Sequence, residues 1–336
     1  MCLNRYPNCV RLILFFFSLF VISSAVGQTN TSSSDSARFK SLVRSIVAKS
    51  STDSLKALAI FKWVAINVAY DVEMYKSGGT YMSQIAKPPH NFPSISFDDW
   101  YNHEVAAYVL DTRKGICGGY SRLYKVMCDY AGLKCRVISG YAHDIDSIGL
   151  PIKASHAWNA VMFNNIWHLL DVTWGSGYLR SGKFSYAYDP YYFNTPPQWF
   201  IKDHYPEVES NTLLPFKTSV ESFFSIPYVW SYFNKIGGVK FLPAKGRLAI
   251  SKNDTLEFRV TFKGQALPVS LGVEPGGSID LNTPGVYPNS LHEGVIANPS
   301  DGNEFSFRYY LSLKTPKILT IYAGGKSILT YSLVPK

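Results

Sequence analysis

The stretch GICGGYSRLYKVMCDYAG, residues 115–132, decides the fold of the first half of this 336-residue chain. Apolar side chains recur there at helical spacing, at Tyr120, Leu123, Tyr124, Met127 and Ala131. Gly132 stands where a helix commonly ends, because glycine adopts the left-handed conformation without strain. The pattern predicts one amphipathic helix over residues 117–131 that begins at Cys117.

A thiol at the start of a helix is chemically favoured as a nucleophile. The positive end of the helix dipole stabilises the thiolate, which is the nucleophilic form of cysteine. Gly118 and Gly119 follow Cys117 directly, and glycines let a substrate backbone come close. The stretch therefore predicts a reactive cysteine, and the alternative is a buried structural cysteine in a glycine turn.

Two apolar runs downstream, residues 155–163 and 166–174, predict a β-hairpin. They are joined by Asn164-Asn165, a two-residue connection that is typical of a tight hairpin turn. The short loop fixes the register, so we expect Phe163 to pair with Ile166.

This register decides which side chains share a face of the hairpin. His156 is expected opposite Thr173, and Trp158 opposite Asp171. Asp171 then lies on the diagonal from His156, where backbones are ~7–8 Å apart and an imidazole reaches a carboxylate. His168 falls on the other face. The hairpin therefore predicts a His156–Asp171 pair.

Cys117, His156 and Asp171 are the residue types that a thiol enzyme needs. The histidine accepts or shares the thiol proton, and the carboxylate fixes the histidine tautomer and stabilises the imidazolium. An oxyanion hole is also required. The backbone N–H of Cys117 is one expected donor, and Tyr70 and Trp100 are candidates for the second.

Several segments together resemble the transglutaminase-like superfamily. The core motifs are GICGGYSRLYKVMCDYAG, SHAWNAV (155–161) and WHLLDVTWGSGY (167–178). Two further segments resemble the kyphoscoliosis peptidase branch: AIFKWVAINVAYD (59–71) and DPYYFNTPPQWFIKDHYP (189–206). The resemblance covers about residues 38–215. It implies a papain-type α+β fold and a triad with Cys117 as nucleophile, His156 as general base and Asp171 as its orienting partner.

Residues 1–27 have the features of a signal peptide. A short basic start is followed by an apolar run from Leu12 to Ile22, which is shorter than the ~20 residues of a typical membrane span. Small residues, Ala25 and Gly27, come next. Cleavage near Gly27 predicts a secreted or periplasmic protein, and the alternative is an uncleaved N-terminal anchor.

The rest of the chain divides into three parts. Residues 28–37 are rich in Ser and Thr and predict a flexible leader. Residues 38–215 carry the helix and hairpin patterns and predict the transglutaminase-like catalytic domain. Residues 216–336 show period-two alternation, as in TLEFRVTF at 255–262, and predict an all-β, sandwich-like domain. The expected fold class is α+β, a papain-like core followed by a β-sandwich.

Three cysteines remain once residues 1–27 are removed, so an exported chain keeps at least one free thiol. Cys128 and Cys135 could form a disulfide across the turn at Gly132, or both could be small core residues. No CxxC or HxxxH spacing occurs. We therefore expect neither a metal site nor a cofactor.

Composition narrows the partner classes. Hydrophobic residues make up 46% and charged residues 17%, which excludes global disorder. The net charge of +9 is spread without a run of five Lys or Arg, so no nucleic-acid surface is predicted. A protein or peptide substrate is expected. The aromatic residues near the triad either line a substrate cleft or belong to the core: Tyr141, Trp158, Trp174 and Tyr178. Tyr70 is a further candidate substrate contact. The membrane is contacted only through an uncleaved signal segment.

Two functions fit these patterns. The first is a thiol enzyme that forms a thioester at Cys117 from a peptide or side-chain amide. Transfer of the acyl group to water defines a peptidase or amidase, and transfer to an amine defines a transglutaminase. The second is a non-catalytic module that binds peptide or envelope polymer on the same scaffold. The intact set of Cys, His and Asp is the feature against it.

Overall fold

The structure is a computed structural model of this chain. It describes residues 31–85, 87, 96–145, 148–149, 155–251, 255–264, 269–274, 278–280, 285–288, 294–299, 303–310 and 317–336. The predicted signal peptide, residues 1–27, lies outside the described residues. Among the helices within the described ranges, none is both long enough and apolar enough to cross a membrane.

Helices and short strands alternate in the first part of the chain. Its helices are α1 Thr31–Val47, α2 Asp53–Asn67, α3 Val72–Lys76, α4 Phe97–Thr112, α5 Cys117–Tyr130, α6 Pro197–Phe200 and α7 Val220–Ser225. Its strands are β1 Ala69–Tyr70, β2 Lys114–Gly115, β3 Cys135–Ala142, β4 Ser155–Phe163, β5 Ile166–Leu170, β6 Gly177–Arg180, β7 Lys183–Tyr186, β8 Phe193–Thr195 and β9 His204–Pro206. Short 3₁₀ turns lie at Tyr81–Ser83, Pro190–Tyr192 and Glu209–Thr212. The mixture confirms the α+β class.

The first helix starts earlier than the sequence pattern predicts. α1 begins at Thr31, so the predicted flexible leader at 28–37 is helical from Thr31 onward. Phe39 and Val43 of α1 are buried in the core. Once buried turns have nucleated a helix, each further residue is added at a small free-energy cost. Packing therefore extends the helix into a stretch whose composition favours a flexible chain.

α5 is the central helix of this part, and its bounds confirm the predicted helix to within one residue. Two of its buried tyrosines contact α2 or the residue that directly follows it. The hydroxyl of Tyr120 donates to the carbonyl of Val68 at 2.6 Å, and that of Tyr124 donates to the carbonyl of Ala57 at 3.2 Å. A buried hydroxyl without a partner costs about 1–3 kcal/mol. The two bonds therefore fix the rotation of α5 and hence the direction of its first residue.

A five-stranded antiparallel sheet, in the order β8-β5-β4-β3-β9, packs against α5. The β4–β5 hairpin has the predicted register, with Phe163 opposite Ile166. Asn164 and Asn165 have φ angles of 53° and 60°, as a two-residue type I′ turn requires. Pairing ends where Asn159 faces Leu170, so β5 is shorter than the predicted run at 166–174.

The second part of the chain forms two sheets with a common core. Its helix is α8 Ser231–Lys235. Its strands are β10 Tyr228–Val229, β11 Gly238–Leu242, β12 Arg247–Ile250, β13 Thr255–Phe262, β14 Val269–Glu274, β15 Ser278–Asp280, β16 Gly285–Pro288, β17 Gly294–Pro299, β18 Glu304–Tyr310, β19 Lys317–Ala323 and β20 Lys326–Pro335. One sheet has the order β10-β20-β19-β14-β15 with β12 also beside β20, and the other has the order β11-β13-β18-β17-β16. Phe258 of one sheet contacts Tyr331 of the other with ring centroids 5.1 Å apart, as in the predicted sandwich.

The change from one core to the other comes after α7. Phe223 and Phe224 of α7 pack on Tyr205 and Tyr141 of the first part, whereas Val229 of β10 belongs to the sandwich core. The packing therefore changes later than the predicted boundary at 215/216. The sequence shows the aromatic pair Phe223–Phe224 but does not indicate which of the two cores buries it.

Candidate active site

Cys117 is the first residue of α5, as the sequence predicts, and its side chain is partly exposed. The carbonyl of Ile116, just before it, accepts the N–H groups of Gly119 and Tyr120 at 2.8 and 3.1 Å. The N–H of Ile116 donates to the hydroxyl of Tyr81 at 2.8 Å. Tyr81 thus holds the turn that presents the thiol. Sequence reasoning missed it, because Tyr81 lies 35 residues earlier in a stretch without periodic pattern.

His156 and Asp171 form a hydrogen bond, with Nε2 2.7 Å from Oδ2. The predicted facing pairs, His156 with Thr173 and Trp158 with Asp171, are not formed, because the ladder ends at Leu170. Asp171 instead begins a turn in which its Oδ1 accepts the N–H groups of Thr173 and Trp174 at 2.8 and 3.2 Å. The turn directs Oδ2 of Asp171 toward His156. The predicted contact between the two side chains therefore forms, but Asp171 lies in a turn and not in a paired strand.

Burial, charge and hydrogen bonding act together on these side chains. Burial raises the pKa of the Asp171 carboxyl, but the charge and hydrogen bond of His156 hold it well below its usual range. Burial lowers the pKa of His156, and the charge and hydrogen bond of Asp171, helped by Cys117, raise it to about 10.

The thiol responds to the same histidine. Burial raises the pKa of Cys117, but the hydrogen bond and charge of His156, together with the N–H of Ala157, bring it below its ordinary value. The site therefore favours a thiolate beside an imidazolium. That charge distribution is the reactive form of a cysteine nucleophile.

A second histidine, which sequence reasoning missed, joins the site. His204, the first residue of β9, has its Nε2 3.0 Å from Oδ2 of Asp171 and its Nδ1 2.6 Å from Oδ1 of Asp203. His204 and Asp203 are both buried. The only sequence signal was their presence within the segment at 189–206. β9 reaches the site by pairing with β3, which no local pattern predicts.

The two glycines after Cys117 differ in their surroundings. A Cβ atom on Gly119 would overlap the hydroxyl of Tyr81, so this glycine makes room for a core side chain and not for a substrate. A Cβ on Gly118 would lie 3.2 Å from the guanidinium of Arg122, at the end of a flexible side chain, and 3.9 Å from a ring carbon of Tyr81, which is an ordinary contact distance. Gly118 alone keeps the predicted place beside the thiol on a partly exposed surface.

Trp158 and Trp174 both contact the histidines but only one is accessible. Trp158 is 1% exposed and packs on Phe200 and His204, with centroids 5.9 and 5.1 Å away, so it is a core residue and does not line an open cleft. Trp174 is half-buried, and its ring lies 5.6 Å from that of His156. Trp174 therefore remains the candidate substrate contact.

The remaining predicted aromatic residues, Tyr70, Trp100, Tyr141 and Tyr178, lie in different parts of the fold. Tyr70 pairs with Gly115, two residues before Cys117, and burial together with the charge of Cys117 raises the pKa of Tyr70. Trp100 packs on Phe97 within α4 instead, with centroids 5.5 Å apart. Two other candidates for the cleft are Tyr141, which packs on Phe224, and Tyr178, which is exposed. Tyr70 therefore stays a candidate near the start of α5.

Cys128 and Cys135 are free thiols, so the predicted alternative of a disulfide is wrong and that of two small core residues is confirmed. Both are buried. Burial and their mutual proximity raise the pKa of the Cys135 thiol well above its ordinary value. Burial shields both thiols from solvent, whereas Cys117 is partly exposed.

One group of side chains within the described ranges is compact enough to hold a metal ion. Its members are His156, Asp171 and His204, whose ligand atoms all lie within 4.8 Å of one another. Two ligands of a tetrahedral zinc ion are about 3.3 Å apart. Here each histidine nitrogen is closer than that to Asp171, at 2.7 and 3.0 Å. The spacing fits shared hydrogen atoms better than a metal between the groups.

Comparisons with known proteins agree on a family. Residues 40–172 match the family model of the transglutaminase-like superfamily. Kyphoscoliosis peptidase of Mus musculus is 32% identical over 200 residues, which are 58% of this chain and 27% of the relative. Hillarin of Drosophila melanogaster is 29% identical over 219 residues, covering 60% of this chain and 24% of its own length.

Two further similarities extend the comparison. The Lim and transglutaminase domain protein ltd-1 of Caenorhabditis elegans is 25% identical over 352 residues, covering 97% of this chain and 44% of its own. A crystal structure of a TGase aligns with 52% of this chain and 40% of its own at 20% identity, with a TM-score of 0.32. The chain thus spans about a quarter of the peptidase and of hillarin, and less than half of ltd-1.

Proposed function

Because residues 40–172 of this chain form a domain of the transglutaminase-like superfamily, we propose that the protein is a thiol enzyme acting on peptide or side-chain amide bonds. Cys117 is the nucleophile, His156 the general base and acid, and Asp171 the group that orients His156. The observation that carries this proposal is the hydrogen bond of 2.7 Å between His156 and a fully buried Asp171, next to a thiol whose pKa His156 lowers.

The first half of the reaction forms a thioester. Nε2 of His156 is bound to Asp171, which leaves Nδ1 for the thiol. The Cys117 thiolate attacks the amide carbonyl carbon, and the carbon–oxygen π electrons move to the oxygen. The carbon–nitrogen bond then breaks as the His156 imidazolium protonates the leaving nitrogen. An amine or ammonia departs, and the acyl group remains on sulfur.

The second half removes the acyl group. His156, now neutral, takes a proton from water or from a primary amine as that molecule attacks the thioester carbon. The carbon–sulfur bond breaks, and the thiolate and imidazolium are restored. Water gives hydrolysis, so the enzyme is a peptidase or amidase. An amine gives transamidation, so it is a transglutaminase.

The start of α5 supplies one oxyanion donor. N–H groups in the first turn of a helix have no acceptor within the helix, and they carry the positive end of its dipole. The backbone N–H of Cys117 is such a group. Tyr70 is the proposed second donor, because its side chain lies near the thiol and burial with Cys117 keeps its hydroxyl protonated.

Alkylation of the purified protein tests the proposal without knowledge of the substrate. Iodoacetamide at neutral pH should label Cys117 faster than a free cysteine, and His156→Ala should slow that labelling. Cys128 and Cys135 are internal controls, since both thiols are buried. Mapping the adducts by mass identifies the site. Labelling of Cys117 no faster than a free thiol would overturn the proposal and favour the non-catalytic binding module.

The acceptor is tested with a peptide that contains glutamine, in the presence and absence of a primary amine. Incorporation of the amine defines a transglutaminase, whereas release of ammonia or cleavage of the peptide defines a hydrolase. Cys117→Ala is the matched control for both. Absence of every product, from peptides of varied sequence, would count against an amide substrate.

Export is a further proposal, based on the apolar run and small residues at the start of the chain. Fractionation of producing cells should recover the protein outside the cytoplasm. N-terminal sequencing should then begin near Gln28. Recovery of an intact N-terminus in the cytoplasm would contradict it.

A further inference from the structure

The hydrogen bonds of the site continue beyond Asp171. His204 is 1% exposed and Asp203 is 2% exposed, so neither side chain exchanges its partners for water. The ring of His204 lies between aromatic rings, stacked on Phe200 at a centroid distance of 4.1 Å and 4.6 Å from Trp174. Ionisable groups buried this deeply cost several kcal/mol unless they are paired. Burial of His204 and Asp203 is therefore tolerated only because each is paired.

The hydrogen atoms of this network can be assigned from the acceptor capacity of Asp171. Its Oδ1 accepts the backbone N–H groups of Thr173 and Trp174. Its Oδ2 faces Nε2 of His156 at 2.7 Å and Nε2 of His204 at 3.0 Å. An ionised carboxylate only accepts hydrogen bonds, so both Nε2 atoms carry hydrogen. Asp171 thus receives four hydrogen bonds, and both of its oxygens are held.

Asp203 determines which nitrogen of His204 carries that hydrogen. Its Oδ1 lies 2.6 Å from Nδ1 of His204. Burial raises the pKa of Asp203, and the charges of Asp203 and Asp171 raise that of His204 against the effect of burial. The proton between them can reside on either partner. In both cases the Asp203–His204 pair is neutral overall, and Nε2–H still points at Asp171.

We propose that His204, held by Asp203, is a positioning residue that fixes the carboxylate of Asp171 against His156. This inference rests on the proposed function of Cys117. The active site is then a chain of five side chains: Cys117, His156, Asp171, His204 and Asp203. His204 touches neither the thiol nor the reacting carbonyl. It acts by keeping Asp171 ionised and by holding Oδ2 where His156 needs it.

Loss of His204 has a definite electrostatic consequence. Asp171 would keep three of its four hydrogen bonds, and Oδ2 would lose a donor inside a core that water does not reach. Its carboxylate would be less stabilised and free to turn away from His156. The imidazolium would then be less stable, and the thiolate beside it less stable in turn. Partners of this kind, one step beyond the reacting groups, commonly affect activity by 10- to 100-fold.

Three variants separate positioning from packing. His204→Phe keeps an aromatic ring between Phe200 and Trp174 and removes both nitrogens. His204→Gln supplies a side-chain N–H that can donate to Asp171 and should restore most of the lost function. His143→Phe is the matched control, because His143 is another buried histidine whose ring packs on Phe223 and Phe224, 5.3 and 5.8 Å away.

The first measurement is the pH dependence of Cys117 alkylation by iodoacetamide. In His204→Phe the pH of half-maximal rate should rise by about 1 unit, since the thiolate loses stabilisation through His156. In the glutamine-peptide assay, kcat should fall roughly 10- to 100-fold with KM nearly unchanged. His204→Gln should recover more than half of each change on a logarithmic scale, and His143→Phe should show neither.

The second measurement stands apart from catalysis. Histidine NMR in a Cys117→Ala background follows the titration of His156 directly, and adding His204→Phe should lower its pKa by about 1 unit. An unchanged His156 titration would overturn the inference, as would a His204→Gln protein that is folded but no better than His204→Phe. If Cys117 alkylation in the unaltered protein is ordinary while the NMR shift occurs, the proposed function fails and the positioning role of His204 stands.

Discussion

The two cores of this molecule bury different kinds of side chain. Among the described residues, the α+β part buries ionisable groups: His143, His156, Asp171, Asp203 and His204. In the described residues from β10 onward, the buried side chains are apolar apart from those of Asn234 and Thr330. Burial of ionisable groups opposes folding unless they are paired, so stability alone does not account for the first set. The proposed chemistry therefore belongs to the α+β core, whereas the described residues of the sandwich core serve packing.

The largest expected effect separates two thiols on the same helix. Cys117→Ala should lower kcat/KM in the glutamine-peptide assay by about 10⁴-fold or more, because the nucleophile is gone. Cys128→Ala removes a buried thiol of α5 and should change kcat/KM less than about threefold while lowering stability by roughly 1 kcal/mol. Kinetics and urea unfolding on both variants provide the check. Activity that survives Cys117→Ala would contradict the assignment of Cys117 as the nucleophile.

The two glycines after Cys117 give the next largest effect. Gly119→Ala should lower the free energy of unfolding by roughly 1–3 kcal/mol, because the new Cβ would overlap the hydroxyl of Tyr81 and lie 2.8 Å from Cγ2 of Val109. Gly118→Ala should change it by less than about 1 kcal/mol, since only the flexible end of Arg122 is near. Urea unfolding decides between them. Equal losses in the two variants would contradict the assigned roles.

The buried His156–Asp171 pair predicts that the free energy of unfolding depends on pH. In Cys117→Ala, Asp171 still raises the pKa of His156 above its ordinary 6.5. A group with a raised pKa in the folded protein contributes fully below its unfolded pKa, and this stability is lost as pH rises. The unfolding free energy should therefore fall by roughly 1–3 kcal/mol from pH 6.5 to about pH 9.

The matched control for this titration adds His156→Gln to Cys117→Ala. Its unfolding free energy should vary less over the same pH range, because the titrating imidazole is absent. Urea unfolding at a series of pH values measures both proteins. Parallel pH profiles would show that His156 is not the group responsible.

The smallest expected effect lies in the sandwich core. Nε1 of Trp230 donates to Oγ1 of Thr330 at 2.9 Å, and the hydroxyl of Thr320 is 3.0 Å from the same atom. Thr330→Val should lower the unfolding free energy by about 1 kcal/mol, because it removes that acceptor. Cys117 alkylation should be unchanged. An altered alkylation rate would show that the two cores are coupled.

Local sequence signals were sufficient where the structure is built from contacts close in the chain. Apolar spacing gave α5, and Asn164-Asn165 gave the hairpin and its register. The meeting of His156 with Asp171 was also predicted, although by way of a strand pairing that stops at Leu170. The reason is that helices and tight hairpins are specified by period and turn chemistry within a few residues.

Contacts between distant segments were not predictable from such signals. Tyr81 reaches the turn before Cys117 from 35 residues away, and His204 reaches Asp171 from 33 residues away. The sequence leaves Trp158 open between a cleft and the core, because an aromatic side chain suits either place, and the structure buries it in the core. Each case depends on which surfaces meet after the elements form.

Local patterns in the chain specify the helix that begins at Cys117, the β-hairpin that carries His156, the β-sandwich that follows, and the family resemblance. The pairing of β9 with β3 arises only when the whole chain folds. This pairing brings His204, together with Asp203, within hydrogen-bond distance of Asp171. The physical reason is that periodicity fixes which face of an element is apolar, whereas the partner of that face is chosen by packing of the whole chain.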